Sequence, residues 1–415
     1  MAAGYPKPVA LYPTFHALKD LSLKDYTELQ SFLSSDDPWW MQHWSWGRDF
    51  LNYIGRNKSE HTYTRFRNEV ERFLLWAFLI KKTPIQELRK TDILEYADFC
   101  WQPPPSWMCH ANHEKFMDDN GYFRQNPEWA PFKMQAPKNS TSDKIPDKKK
   151  YKPSQQTLVA MFTAVIAFYK YLMNEEHVYG NPAQIAKADC RHFIKDAQVK
   201  EVRRLSEMQW QYVLNIALEL AEQDPIYERS LFVITALKTL FLRISELSER
   251  ANWTPVMGHF WQDNEGHWWL KVFGKGRKLR DITVPNSFID YLKRYRRYRG
   301  LSALPSTGEN QVIVEKIRGQ GGMTSRQLTR IVQEVFDLAY EKMKLSEGED
   351  NARKLREASS HWLRHTGASM EVERGRALKH LSEDLGHASM ATTDTVYVQT
   401  ENRVRAESGK NRKVN

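Results

Sequence analysis

Between Ser359 and Tyr397 the chain gathers four side chains able to handle a phosphodiester: His361, Arg364, His387 and Tyr397. Ser359 and Ser360 are good helix caps, which places His361 and Arg364 in a helix's first turn. At i,i+3 the two share one face. The unpaired N–H groups and the dipole of such a turn favour an anion. A helix start that carries an Arg and a His suits a phosphate.

Two upstream groups extend this set. In Leu242-Arg243-Ile244-Ser245-Glu246-Leu247 the Arg and Glu lie i,i+3, which by itself reads as an ordinary surface ion pair. Gly274-Lys275-Gly276-Arg277-Lys278-Leu279-Arg280 lies between two strand-like runs. Its glycines permit a tight hairpin from which Lys275 projects; alone it reads as a solvated basic turn. It lacks the GxxxxGK[ST] spacing of a nucleotide loop, but a mobile lysine can protonate a leaving oxygen. His361 and His365, at i,i+4, would suit zinc, but Trp362 stands where HExxH has its glutamate. Cys109, His110 and His113 share one irregular loop without a partner set. No metal and no cofactor is expected.

The surrounding elements are mostly helical. One short helix is expected near Leu23–Leu33. Over His61–Leu79 the apolar residues Tyr63, Phe66, Val70, Phe73, Leu74, Ala77 and Phe78 recur at helical spacing, with Arg65 and Arg67 on the outer face. Thr83–Tyr96 reads as another helix. Residues 102–154 are Pro-rich and irregular, a functional loop or a flexible strap. Leu158–Met173 resumes as an apolar helix, and Gly180-Asn181-Pro182 reads as the end of that subdomain. Helices follow at Ser206–Gln223 and Tyr227–Phe241. Val256–Pro285 turns to strand, with a hairpin at Asn264-Glu265-Gly266. Helices return at Ser287–Tyr298, Ser325–Met343, Ser360–Glu373 and Ala377–Leu385. These elements divide the chain into a segment 1–36, a helical domain 37–190, a basic linker 191–204, a domain 205–400 and a tail 401–415.

At 415 residues, two domains are the default. The chain is 41% hydrophobic, enough for packed cores, and its net charge of +10 asks for an anionic partner. No lipidation signal stands out, and the run Leu158–Tyr169 is too short to span a bilayer. No secretion signal is read at the start. Three cysteines without CxxC spacing fit reduced thiols. The expectation is a cytoplasmic, nucleoid-associated protein with no membrane partner.

Arg243 in LRISEL, Lys275 in GKGRK, His361-Trp-Leu-Arg364-His365, Leu385-Gly386-His387 and Tyr397 together resemble the tyrosine recombinase (phage integrase) family in order and approximate spacing. The resemblance is specific over roughly 206–400 and weaker over 43–190. Two departures stand out. Phe241 occupies a position usually held by glycine, and one extra residue lies between His387 and Tyr397. The resemblance implies a mainly α fold with a small antiparallel sheet in the C-terminal domain. It implies a DNA clamp built from a core-binding domain and a catalytic domain. Tyr397 would be the nucleophile, Arg243 and Arg364 the phosphate clamp, His361 the base, Lys275 the acid and His387 a phosphate ligand. Glu246 and His365 would support them. Arg65, Arg67, Arg277, Lys278, Arg280, Lys293, Arg294, Arg296 and Arg297 are the candidate contacts to double-stranded DNA sites, though the face that carries Lys293–Arg297 reads equally as a highly charged exposed helix. Four protomers on two sites and DNA-bending accessory proteins belong to the same expectation. A type IB topoisomerase and a non-catalytic DNA-binding relative are the alternatives; relaxation of site-free DNA, or binding with no covalent adduct, would mark them.

Overall fold

The computed structural model describes residues 4–34, 37–134, 146–194, 203–274 and 278–387. The chain forms two compact units, Met1–Ala197 and Gln198–Asn415.

In the first unit, helices Trp39–Asn57, Glu60–Trp76, Lys90–Trp101 and Gln155–Asn174 enclose an aromatic core that includes Trp44, Phe50, Phe73, Trp76, Phe168 and Tyr169. Gln155–Asn174 is long and apolar enough to cross a membrane, but Leu158, Phe162, Val165 and Leu172 are spent on this core. The helix expected over Thr83–Tyr96 begins later, at Lys90. The Asp92 carboxylate accepts from the Arg89 N–H at 2.7 Å and so fixes the start there. Gly180-Asn181-Pro182 does not end the unit. The Asn181 side chain accepts from the Gln184 N–H at 3.1 Å and starts a further helix, Pro182–Asp189, which buries Ala183 and Ala186.

Residues 4–34 are built into this unit. Glu71 accepts from the N–H groups of Leu11 and Tyr12 at 2.6 and 3.2 Å. Tyr12 Oη donates to the Trp44 carbonyl at 2.8 Å, and a Cβ at Gly47 would sit 2.1 Å from Tyr12 Oη. Glycine is what lets the strap lie against the Trp39–Asn57 helix. Residues 102–134 also fold onto the unit. Met108–Cys109 pairs in parallel with Phe132–Lys133, and Phe116–Asp119 pairs antiparallel with Tyr122–Gln125. Gln125 exchanges two hydrogen bonds with the Ala10 backbone. Beneath this layer, Lys115 is buried in an ion pair with Glu71.

In the second unit, Glu228–Thr239 is the central helix. Every residue from Arg229 to Leu237 is buried, as expected of a helix packed on all sides. Glu207–Gln223, Asn286–Tyr298, Ser325–Glu347 and Ser360–Glu373 surround it. A three-stranded antiparallel sheet, Phe260–Gln262, Trp268–Phe273 and Leu279–Val284, flanks them, with Leu270 opposite Ile282 and Phe273 opposite Leu279. Leu270, Val272, Ile282 and Val284 alternate inward. The hairpin leaving Phe273 carries Gly274, whose N–H donates to the Lys278 carbonyl at 2.8 Å.

Candidate active site

The central helix ends at Thr239, and the chain then turns through Leu240 and Phe241 to start the short helix Ile244–Leu247. Phe241 makes that turn at φ +50°, a conformation natural to glycine and costly for other residues. This accounts physically for the glycine usual at the position. Arg243 then stands just before the helix. Its N–H donates to Glu246 at 2.9 Å and its Nη1 at 3.0 Å, so the carboxylate fixes both backbone and guanidinium.

Glu246 is 2% exposed. Arg280, from the third strand, grips it with both terminal nitrogens, Nη1 at 2.8 Å and Nη2 at 3.0 Å. Burial pushes the Glu246 pKa up, but the hydrogen bonds and charge of Arg280, then the Arg243 N–H and the Arg364 charge, leave it below the ordinary carboxylate value. The carboxylate is therefore ionised at neutral pH.

Ser359 does cap the start of Ser360–Glu373, but only by position, since its side chain makes no capping bond. Arg364 is 1% exposed, and its Nη1 and Nη2 donate to the carbonyls of Phe241 and Leu385, both at 2.5 Å. Neither acceptor is charged, so neither neutralises the guanidinium. The helix carrying Arg364 comes very close to the central one. A Cβ at Gly367 would lie 1.9 Å from the Lys238 carbonyl oxygen, so the site depends on that missing side chain.

Leu378–Leu385 delivers His387. Gly386, at φ +62°, caps this helix, and the His387 N–H donates to the Ser382 carbonyl at 3.1 Å. The His387 pKa falls to about 4, through burial first and then the charges of Arg364, Arg243 and Arg280. His361 is lowered by burial, then by Arg364 and Arg243. His365 falls to about 3, through burial and then His361, Arg364 and His387. The rings of His361 and His365 meet edge to face at 4.4 Å. Arg243, Arg364, His361, His365 and His387 thus act on one another although up to 144 residues separate them in sequence (387 − 243). All three imidazoles are neutral at pH 7, beside guanidiniums that stay charged.

Lys275, Arg277 and Tyr397 lie outside the described residues. Gly274, next to Lys275, lies over the Glu246–Arg280 pair: a Cβ there would be 2.7 Å from Arg280 Nη1 and 3.3 Å from Glu246 Oε1.

The other basic residues divide. Arg65, Lys278 and Arg297 are exposed, and Arg67 and Lys293 are half-buried. Arg294 donates through Nε to Glu228 at 2.8 Å. Arg296 is a correction to the sequence reading: it is fully buried, bonded to Glu309 at 2.9 and 3.0 Å and to Ser302 and Leu304. It holds the following loop and offers no surface to DNA. Arg280 is likewise engaged within the fold. Three residues passed over in the sequence complete the framework. The Asp384 carboxylate accepts from the Thr283 N–H at 3.1 Å, its hydroxyl at 2.6 Å and Arg376 Nη2 at 2.5 Å. The one signal for them was an acidic residue at the apolar spacing of Leu381 and Leu385. Among the described residues no group of three or more His, Cys, Asp or Glu is arranged to hold a metal ion. Cys109 instead donates to backbone carbonyls, and His113 pairs with Glu128 at 3.2 Å.

Residues 203–403, nearly the whole second unit, match the phage integrase family. Tyrosine recombinase XerC from Chlorobaculum parvum is 27% identical over 256 residues, covering 58% of this chain and 68% of that protein. XerD from Staphylococcus saprophyticus is 24% identical over 242 residues, covering 58% and 70%. Residues 203–403 thus form a domain of the phage integrase (tyrosine recombinase) family. XerC from Proteus mirabilis, at 26% identity, is covered over 66% of its length. Solved recombinases share the fold. XerH site-specific recombinase bound to a palindromic difH substrate, after cleavage, aligns at a TM-score of 0.54 and 14% identity over 96% of this chain and 93% of that one. The Tn1549 transposon integrase in complex with circular intermediate DNA aligns at 0.51 and 17% identity over 88% and 98%.

Proposed function

We propose that this recombinase cuts and rejoins DNA strands at specific sites through a 3′-phosphotyrosyl intermediate. The convergence of Arg243 and Arg364 with neutral His361 and His387 around buried Glu246 is the observation that supports the reading most. In the attack, the Tyr397 oxygen bonds to phosphorus and the bond to the 5′ oxygen breaks. The phosphodiester energy is kept in the new ester, so no ATP is consumed.

A phenol of pKa about 10 is only roughly one part in a thousand ionised at pH 7. His361, kept neutral by burial and by its guanidinium neighbours, accepts that proton. Charge that gathers on the nonbridging oxygens is met by the two guanidiniums, with His387 as a further donor; the chemistry requires no metal of the protein. Lys275 protonates the departing 5′ oxygen. A 5′-hydroxyl from the partner strand then reverses each transfer and frees Tyr397. Exposed Arg65, Lys278 and Arg297 contribute phosphate contacts, which dominate affinity. The same reading makes the protein the cytoplasmic recombinase of a mobile element or prophage, acting as four protomers on two sites.

The test is to incubate the protein with nicked duplexes that tile the DNA flanking its gene, and to isolate protease-sensitive covalent adducts. Wild type should yield a 3′-linked adduct at a defined sequence, and Tyr397→Phe none. An adduct that persists in Tyr397→Phe refutes the nucleophile.

A further inference from the structure

We infer that Arg280 is a positioning residue: it locks the Arg243 arm of the site to the His387 arm, and it does not serve as a DNA contact. The inference rests on the reading of this site as a phosphoryl-transfer centre and adds a residue to it.

Three observations carry it. First, the Arg280 guanidinium is used along two edges. Nη1 and Nη2 meet the two Glu246 oxygens at 2.8 and 3.0 Å, and Nε donates to the Asp384 carbonyl at 3.0 Å. Its side chain is 14% exposed against 26% for Arg243, so the more open cation of the pair is Arg243. Only a planar fork can bridge a carboxylate and a carbonyl in this way; an ammonium cannot satisfy both with fixed directions.

Second, what Arg280 bridges are the parts that hold the reacting groups. Glu246 fixes Arg243 through its N–H and its Nη1. Asp384 lies in the last turn of the helix whose Leu385 carbonyl receives Arg364 and whose cap leads to His387. The Asp384 carboxylate is in turn tied to Thr283, on the same strand as Arg280, and to Arg376. Strand and helix are therefore joined at two points, once by Arg280 and once by Asp384.

Third, the backbone is cut to the shape of this guanidinium. A Cβ on Gly274 would lie 2.7 Å from Arg280 Nη1, and one on Gly386 would lie 2.9 Å from Arg280 Cδ and Nε. Both glycines adjoin functional positions, Lys275 on one side and His387 on the other. Arg280 fills the space between the two turns and sets how near each can come.

The experiment compares Arg280→Lys, Arg280→Gln and Arg280→Ala with wild type on a nicked duplex carrying the adduct site. Binding is followed by fluorescence anisotropy between 50 and 200 mM salt, and cleavage by single-turnover adduct formation at saturating DNA, from about pH 6 to 9. Positioning predicts that dissociation constant and salt slope stay close to wild type. The cleavage rate should fall about 10²-fold in the Gln and Ala variants, as misplacement of reacting groups commonly costs. Lys should rescue only part of it, about tenfold below wild type, and the pH profile should move. A direct phosphate contact predicts the reverse: a salt slope smaller by about 0.9 with the rate at saturation unchanged. That result, or cleavage within about threefold of wild type in the Gln variant, overturns the inference. If Ala fails to fold, Lys and Gln carry the same comparison. Imidazole NMR of the free protein needs no DNA. The His387 titration should shift even in Lys, which keeps the charge, and an unchanged midpoint in both Lys and Gln overturns the inference. If wild type forms no adduct on any duplex, the phosphoryl-transfer reading falls, and the inference, which rests on it, falls with it.

Discussion

Each unit of this protein holds a buried glutamate gripped by a cation and by backbone N–H groups, and the two serve different ends. In the first unit Glu71 takes Lys115 and the N–H groups of Leu11 and Tyr12, and Lys115 is itself buried. Among the described residues Lys115 is the one cation bonded to Glu71, and the result is a strut that fastens the N-terminal segment. In the second unit Glu246 takes Arg243 and Arg280, with Arg364 near enough to act on it electrostatically. The Glu246 carboxylate is bonded by two guanidiniums, of which Arg243, 26% exposed, is the more open. Burial does not tell a site from a strut, since both glutamates are buried. What differs is the number of cations bonded to each carboxylate, one for Glu71 and two for Glu246.

The comparison can be broken from either end. The largest effect is expected in the strut. Lys115→Met leaves the Glu71 carboxylate without its cation in a dry setting, which commonly costs about 3–5 kcal/mol. The denaturation midpoint should drop accordingly, while the folded fraction cleaves DNA at the wild-type rate. Adding Glu71→Met should recover only part, because the Leu11 and Tyr12 N–H groups then lose their acceptor. In the site, Arg364→Ala should reduce single-turnover cleavage by about 10²–10³-fold. A similar loss for Lys115→Met in cleavage per folded molecule would erase the distinction.

Phe241→Gly weighs two opposed terms. Relief of the left-handed conformation returns about 1–2 kcal/mol, and loss of a side chain only 3% exposed costs about 3–5 kcal/mol. Net destabilisation of about 2 kcal/mol is expected by chemical denaturation; a gain would mean that strain dominates. The smallest effect is in pH dependence. His387 and His365 titrate near 4 and 3 in the folded state, against 6.5 when unfolded. As pH falls below 6.5 the unfolded chain takes up protons first, so stability present above that pH is lost down to about 4 for His387 and about 3 for His365. Lys115, lowered to about 8 by burial, has its own window. The unfolded chain holds the extra proton between 8 and 10.5, so this group's contribution rises with pH across that range. In denaturation curves against wild type, His387→Gln should remove the His387 share of the acidic window and Lys115→Met the basic window. Bound DNA, whose phosphate favours the imidazolium, should shrink the acidic one only.

The side chains proposed to react were legible in the sequence as a pattern of types and order, and the structure brings Arg243, His361, Arg364 and His387 near one another. Their supports were not. Arg280 and Arg296 announce a charge in the sequence but not a partner. The first pairs with Glu246, 34 residues away, and the second, near the end of its helix, with Glu309 in the loop that follows. The apparent basic face of 291–299 therefore mixed exposed Arg297 with buried Arg296. The N-terminal segment looked too short to stand alone, and it does not; its acceptor, Glu71, is sixty residues downstream of Leu11. Long-range polar ties of this kind leave no periodic trace.

The Leu385 carbonyl, the cap at Gly386 and the imidazole of His387 are consecutive, and Arg364 and Arg280 both lean on this one turn. If the turn unwinds, Arg364 loses an acceptor, His387 loses its place and Arg280 loses a partner, all in the same event. Competence is therefore close to all-or-none. For a site-specific recombinase that would be a safeguard, because an enzyme able to break a strand but too loosely assembled to reseal it would leave the DNA cut.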